Sequence, residues 1–186
     1  MPRIIDHDAR RDSILERCFE LFARVGYGAV TMRGIAREVG LSTGTLYHYF
    51  PDKATLARSL FHRVSRQDVA EATVQLQAGE TRGERLAALL GFVVANEERL
   101  RATLLVAMDH HRQHPDDREV LQQAAATYRE ALREQLELPA DGAGLDGVLL
   151  TLLLGTIAHR TLDPEGFEAA PHLTAIEALL EALISS

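Results

Sequence analysis

The stretch from Thr31 to Lys53, TMRGIAREVGLSTGTLYHYFPDK, constrains this chain more than the rest of its 186 residues. Thr31 and Ser42 are residue types that cap helix N-termini, and each precedes an apolar-periodic run. Gly40, between them, suits a tight left-handed turn. The spacing predicts two short helices, the second running from Ser42 to about Phe50, with Ile35, Ala36, Val39, Leu46 and Phe50 turned inward. Helices joined this closely form a helix-turn-helix, whose second helix can enter the major groove of DNA.

The outward positions carry matching chemistry. The helix starts at Thr31 and Ser42 offer unpaired backbone N–H groups and partial positive charge to phosphate. Ser42, Thr43, Gly44 and Thr45 are short, so the backbone can approach a duplex while hydroxyls reach phosphates or base edges. One turn later Tyr47, His48 and Tyr49 combine apolar bodies with polar tips, suited to sugars, thymine methyls and phosphates. Arg33 can address a base edge or a phosphate. Lys53, the single lysine of the chain, is placed as a point charge for the DNA backbone. Gly34, inside the first of the two helices, costs it about 1 kcal/mol relative to alanine.

The rest of the chain reads as helical. Prolines occur at Pro2, Pro51, Pro115, Pro139, Pro164 and Pro171, between apolar-periodic segments rather than within them. Helices are expected near 8–25, 53–77, 82–96, 98–113, 116–137, 145–162 and 172–184, about nine in all with the two short ones. Gly26 stops the first and Asp52 caps the fourth, while ELPADGAGLDG is the clearest loop. The net charge of −7 hides a split: residues 1–66 hold 11 Lys/Arg against 7 Asp/Glu, and residues 67–186 hold 9 against 20. A basic first third fits a nucleic-acid-facing module attached to a solvated body. Cys18 is the sole cysteine, so no internal disulfide can form, and its place on the stripe Ile14, Leu15, Phe22 makes it a core residue. The longest apolar run, Gly147 to Ala158, is shorter than the roughly 18 residues of a membrane span. A cytoplasmic protein with no membrane partner is expected.

The run VTMRGIAREVGLSTGTLYHYFPDKATLARSLF resembles the DNA-binding region of the TetR family of bacterial transcriptional regulators. The preceding ILERCFELFARVGYGAV resembles that family's first helix and its Gly-aromatic-Gly exit. The resemblance covers about residues 10–61. It implies DNA contact for Arg33, Thr43, Thr45, Tyr47, His48, Tyr49 and Lys53, and phosphate binding at the helix starts of Thr31 and Ser42. It implies an all-α protein with a three-helix helix-turn-helix domain, 1–52, and a larger effector-binding and dimerisation domain, 53–186. Double-stranded operator DNA, a second copy of the chain and a small, largely apolar effector are the implied partners, and a homodimeric repressor the implied role.

A pocket is expected among the helices at 53–77, 82–113 and 116–137, closed by 145–162. Its candidate lining is Phe92, Asn96, Thr103, Ala107, Met108, His111, Tyr128, Leu152 and Thr156, with His111 on the inward stripe of Leu100, Leu104 and Ala107. Val148 to Ala158 is apolar around its whole circumference, so it needs cover on more than one side. One side can face the core and another a second subunit, Gly155 allowing close approach. The expected interface is Leu149, Leu152, Leu153, Gly155, Thr156 and His159, with Leu173, Ile176, Leu180 and Leu183 of the last helix.

His110 and His114 share a helix face at a spacing that can chelate zinc or nickel, although histidines at a helix C-terminus also suit the dipole with no metal. No metal and no cofactor is expected. The sequence holds no nucleophile elbow, phosphate loop, HExxH or CxxC, which gives an enzyme no starting motif. The alternative to a small-molecule-responsive regulator is a DNA-bound scaffold controlled by a protein partner or a metal ion.

Overall fold

Caps and glycines set the helix boundaries. The computed structural model describes residues 7–139 and 144–184, and among these there are nine helices and no strand. The helix α1, His7–Val25, ends where Gly26 takes φ +83°. Thr31 caps α2, Met32–Glu38, by accepting the Gly34 N–H at 3.1 Å. Gly40 turns the chain at φ +69°, a conformation that penalises any Cβ. Ser42 then caps α3, Thr43–Tyr49, through the Thr45 N–H at 3.0 Å. Asp52 accepts the Thr55 N–H at 2.6 Å at the head of α4, Lys53–Leu76. The remaining helices are α5 (Arg82–Ala95), α6 (Glu97–Gln113), α7 (Glu119–Gln135), α8 (Leu145–Leu162) and α9 (Ala169–Ile184).

Two compact units result. The first contains the described residues up to Val64 together with Ala102–Ala124. Its core joins Ile14, Leu15, Cys18 and Phe22 of α1, Tyr27 of the turn that follows, Ile35 and Ala36 of α2, Leu46 of α3, Phe50, and Leu56, Leu60 and Phe61 of α4. Val106 of α6 and Val120 of α7 complete it. Burial pushes the Cys18 thiol up to about 12, so the thiolate is absent at neutral pH and the side chain is a packing group.

The second unit contains Ser65–Arg101 and the described residues from Ala125 onward. Helices α5, α8 and α9 pack on one another there. Leu86, Leu89, Phe92, Val93, Leu145, Leu149, Leu153, Ile157 and Ile176 are buried. Two arginines of α5 close the end of α7: Arg82 donates to the Leu136 carbonyl at 2.9 Å and Arg85 to that of Gln135 at 3.1 Å.

As a whole, α8 is more apolar than its contiguous run suggests. Its 18 residues have a mean hydropathy of 1.3, long and apolar enough to cross a membrane by length and composition. The charges at its two ends are tied to neighbouring helices, Asp146 to Arg129 and Arg133 of α7 and Arg160 to Glu97 of α6. The loop 137–147 falls partly on residues 140–143, outside the described residues.

Candidate nucleic-acid interface

Helix α3 is pinned from one side only. Leu46 and Phe50, both 0% exposed, lie in the core beneath it, and the opposite face presents Thr43, Gly44, Thr45, Tyr47 and His48 to solvent. Ser42 Oγ lies 2.8 Å from Thr45 Oγ1 as well as accepting the Thr45 N–H. The two hydroxyls are therefore ordered by each other at the helix start. Thr31 and Arg33 are exposed on α2.

The two tyrosines of α3 differ. Tyr47 is 47% exposed, whereas Tyr49 is half-buried against the core, with its ring 6.1 Å from that of His7. Lys53 is also engaged inside the protein. Its ammonium donates to the Tyr27 carbonyl at 2.5 Å and stands 4.0 Å from the centre of the Tyr27 ring. Burial favours its neutral form and moves its pKa down, with Asp109 opposing. A side chain held this way fixes the turn between α1 and α2, a role beyond that of a free point charge.

Arg17 was not among the expected site residues. From α1 it donates to the Val39 carbonyl at 2.8 Å and to the Glu38 carbonyl, capping the end of α2 just ahead of Gly40. Arginine at a helix C-terminus satisfies carbonyls that have no intrahelical partner. Nothing in the local pattern around residue 17 points to an acceptor at residue 39.

The expected effector residues fall in both units. Phe92, Asn96 and Tyr128 converge in the second unit on a pair absent from that expectation, Asp68 and Arg99. Asp68, 2% exposed, is ion-paired with Arg99 and accepts the Tyr128 hydroxyl at 2.7 Å. Arg99 also reaches Glu71 at 2.6 Å and Asn96 Oδ1 at 3.2 Å, and lies 6.0 Å from the Phe92 ring centre. Leu152 and Thr156 belong to the same unit, Thr156 buried and Leu152 half-buried.

Thr103, Ala107, Met108 and His111 belong to the first unit, and two of them differ from expectation. Met108 is 63% exposed and His111 is exposed, while the buried histidine is His110 at 0%. The inward stripe of α6 runs through Val106 and His110, one residue out of step with the apolar pattern. His110 and His114 do share a face, with ring centres 5.2 Å apart. Among the described residues, no group of three or more His, Cys, Asp or Glu side chains is arranged to hold a metal ion.

Helix α8 has two faces, divided differently from the expected interface. Leu149, Leu153 and Thr156 are buried within the chain's own second unit, as is Ile176 of α9, so they have little surface left for a partner. The open face carries Val148, Thr151, Gly155, His159 and Leu162, with Leu152 half-buried at its edge and Leu154 at 39% exposure. A Cβ at Gly155 would meet nothing within 4 Å. Leu179 extends the exposed apolar surface onto α9 at 53% exposure. The side chains of Leu173, Leu180 and Leu183 lie outside the described residues.

Comparison with known proteins agrees with this geometry. The family model described as bacterial regulatory proteins, tetR family, matches residues 14–60, which span the core of α1 through the first third of α4. Residues 14–60 are a TetR-family DNA-binding region. The transcriptional regulator BetI of Vibrio parahaemolyticus is 27% identical over 183 residues, covering 91% of this chain and 89% of that protein. The repressor KstR of Mycolicibacterium smegmatis is 35% identical over 82 residues, 44% of this chain and 40% of that one. A solved transcriptional regulator from Streptomyces coelicolor A3(2) superposes with a TM-score of 0.76 at 25% identity, covering 95% of this chain and 99% of its own. A regulator from Saccharomonospora viridis, solved in complex with choline, gives 0.69 at 20% identity over 94% and 97%. Like the regulator it matches over most of its length, the chain is a DNA-binding transcriptional regulator.

Proposed function

We propose that this chain is a homodimeric repressor that leaves its operator when a small, largely apolar molecule binds the second unit. The observation that carries the DNA half of this reading is α3, anchored through Leu46 and Phe50 and presenting Thr43, Thr45, Tyr47 and His48 outward. Arg33 and the capped helix starts at Thr31 and Ser42 supply phosphate contacts beside it. The open face of α8, continued by Leu179 of α9, supports a two-fold interface, and a symmetric reader of DNA needs one. The likeness to KstR, a repressor by name, supports repression, and the choline complex of a structural neighbour supports a small-molecule effector. Within the second unit, Asp68, Arg99 and Tyr128 are the polar groups available to orient an otherwise apolar ligand. The site of action is the cytoplasm, where the DNA lies.

The test is a duplex enriched by in vitro selection against the full-length chain, then titrated at rising salt. Two chains should bind each duplex, with affinity falling by about 10³-fold or more between 50 and 200 mM salt if each dimer makes at least six phosphate contacts. A complex indifferent to salt, or one chain per duplex, overturns the reading.

A further inference from the structure

The turn between α1 and α2 is gripped by the C-terminal end of α6, and one member of that grip has no side-chain hydrogen bond. Gly28 N–H donates to Asp109 Oδ2 at 2.6 Å, which holds the Asp109 carboxyl below its usual range. The approach is close: a Cβ at Gly28 would stand 2.6 Å from Gln113 Nε2, so the end of that side chain would have to move aside. Tyr27 inserts its ring edge-on between two histidines, 5.0 Å from His110 and 5.8 Å from His114, and its hydroxyl lies 3.2 Å from His114 Nε2. Lys53 closes the other side through the Tyr27 carbonyl. All of these residues belong to the first unit.

His110 is the exception in this cluster. It is fully buried against Tyr27 and Phe61, and neither ring nitrogen has a hydrogen-bond partner among the described residues. A buried polar ring left unpaired is costly, and a charged one is costlier. We propose that His110 is a proton-operated latch: acidification charges it, expels it from between Tyr27 and Phe61, and frees the Tyr27–Gly28 turn that places the helix-turn-helix, lowering DNA affinity.

The groups facing His110 set the balance. From its own helix comes His111, with His114 just beyond the helix end. Tyr27 faces it from the α1–α2 turn, with Asp52, Asp109 and Lys53 around Tyr27 itself, and α4 contributes Arg58. Asp117, after α6, lies 3.7 Å from His110 Nε2 but is shared with Arg58 at 3.5 Å. Burial first, and then His114, hold the His110 pKa below its ordinary value of 6.5 against the pull of Asp117. Asp117 stands beyond hydrogen-bond distance and is shared with Arg58, so it offsets only part of the cost of charging the ring where it lies. Because the turn is part of the DNA-binding unit, the effect needs no effector and holds whatever molecule the second unit binds.

The experiment compares wild type with His110→Phe on the selected duplex from pH 8 to 5.5. His48 lies in both proteins, so whatever it contributes cancels in the ratio of their affinities. Wild type should lose roughly threefold or more in affinity relative to His110→Phe as the pH falls to 5.5. A ratio that stays flat overturns the latch. Histidine and amide NMR of the wild-type chain without DNA gives a second readout, independent of duplex selection and of whether His110→Phe folds. The His110 ring and the Gly28 amide should shift with one shared midpoint below pH 6.5. A Gly28 amide that stays still while His110 titrates, or a His110 that never titrates above pH 5, overturns it equally.

Discussion

Asp68 and His110 are both polar, both buried and both central to a unit, yet their surroundings are opposite. Asp68, in the second unit, has a guanidinium and a phenol hydroxyl on it. His110, in the first, has three aromatic neighbours, no side-chain hydrogen bond and a carboxylate, Asp117, only at 3.7 Å. Burial raises the Asp68 pKa even so, against the Tyr128 hydroxyl and Arg99, and it lowers that of His110. A partnered buried charge holds one arrangement of helices, because every alternative leaves it unpaired. An unpartnered neutral ring holds its arrangement only while it stays neutral. The first is a constraint and the second a condition.

The largest test of this contrast is Arg99→Met. It removes the guanidinium from a carboxylate that is 2% exposed, and leaves Tyr128 as donor. Breaking a fully buried pair costs about 3–5 kcal/mol. Arg99 is itself partly exposed, so a loss of about 2–4 kcal/mol is expected in chemical denaturation at neutral pH. A loss under about 1 kcal/mol would mean that Asp68 is not held by Arg99 and that the contrast with His110 is false.

A pair of tyrosines sharpens it. Tyr128→Phe deletes a 2.7 Å donor to the buried Asp68 carboxylate, whereas Tyr27→Phe deletes only a 3.2 Å contact to His114. Hydrogen bonds to charged groups contribute about 1.5–3 kcal/mol and neutral ones about 0.5–1.5 kcal/mol. Denaturation should show Tyr128→Phe losing about 2 kcal/mol and Tyr27→Phe about 0.5 kcal/mol. Equal losses would place the two hydroxyls in equivalent environments, contrary to the difference in their acceptors.

The sequence exposed local features and concealed distant ones. Caps at Thr31 and Ser42, the left-handed glycines and the inward Leu46 and Phe50 are read within four residues of themselves, and each stands where its pattern points. The fold class and the bounds of α8 were legible for the same reason. Helix α9 begins at Ala169, ahead of the expected 172, because Pro171 is tolerated in a first turn that needs no N–H. Helix α6 hid its facing, since Val106 and His110 are its only residues identified as buried and a periodicity that thin can be set one residue off. The Asp68–Arg99–Tyr128 group spans 31 and 60 positions, and Lys53 finds Tyr27 across 26, so no local pattern joins them. Contacts of that length exist only once helices have packed.

The smallest expected effect is also the one that separates a condition from a constraint. At pH 7.5 the His110 ring is neutral, and His110→Phe replaces two unpaired nitrogens by carbon in a slot made by Tyr27, Phe61 and His114. The change in stability there should stay within about 0.5 kcal/mol, since replacing an unsatisfied polar group by an apolar ring of similar shape is near neutral. The folded-state pKa of His110 lies below the ordinary 6.5, so the unfolded chain takes up the proton first. Wild-type stability is therefore lost as pH falls below about 6.5, and the phenylalanine variant does not share that loss. By pH 5.5 the variant should be more stable than wild type by about 1 kcal/mol relative to their difference at pH 7.5. Parallel stability curves for the two proteins across that window would show that the proton on His110 is not coupled to the packing of Tyr27.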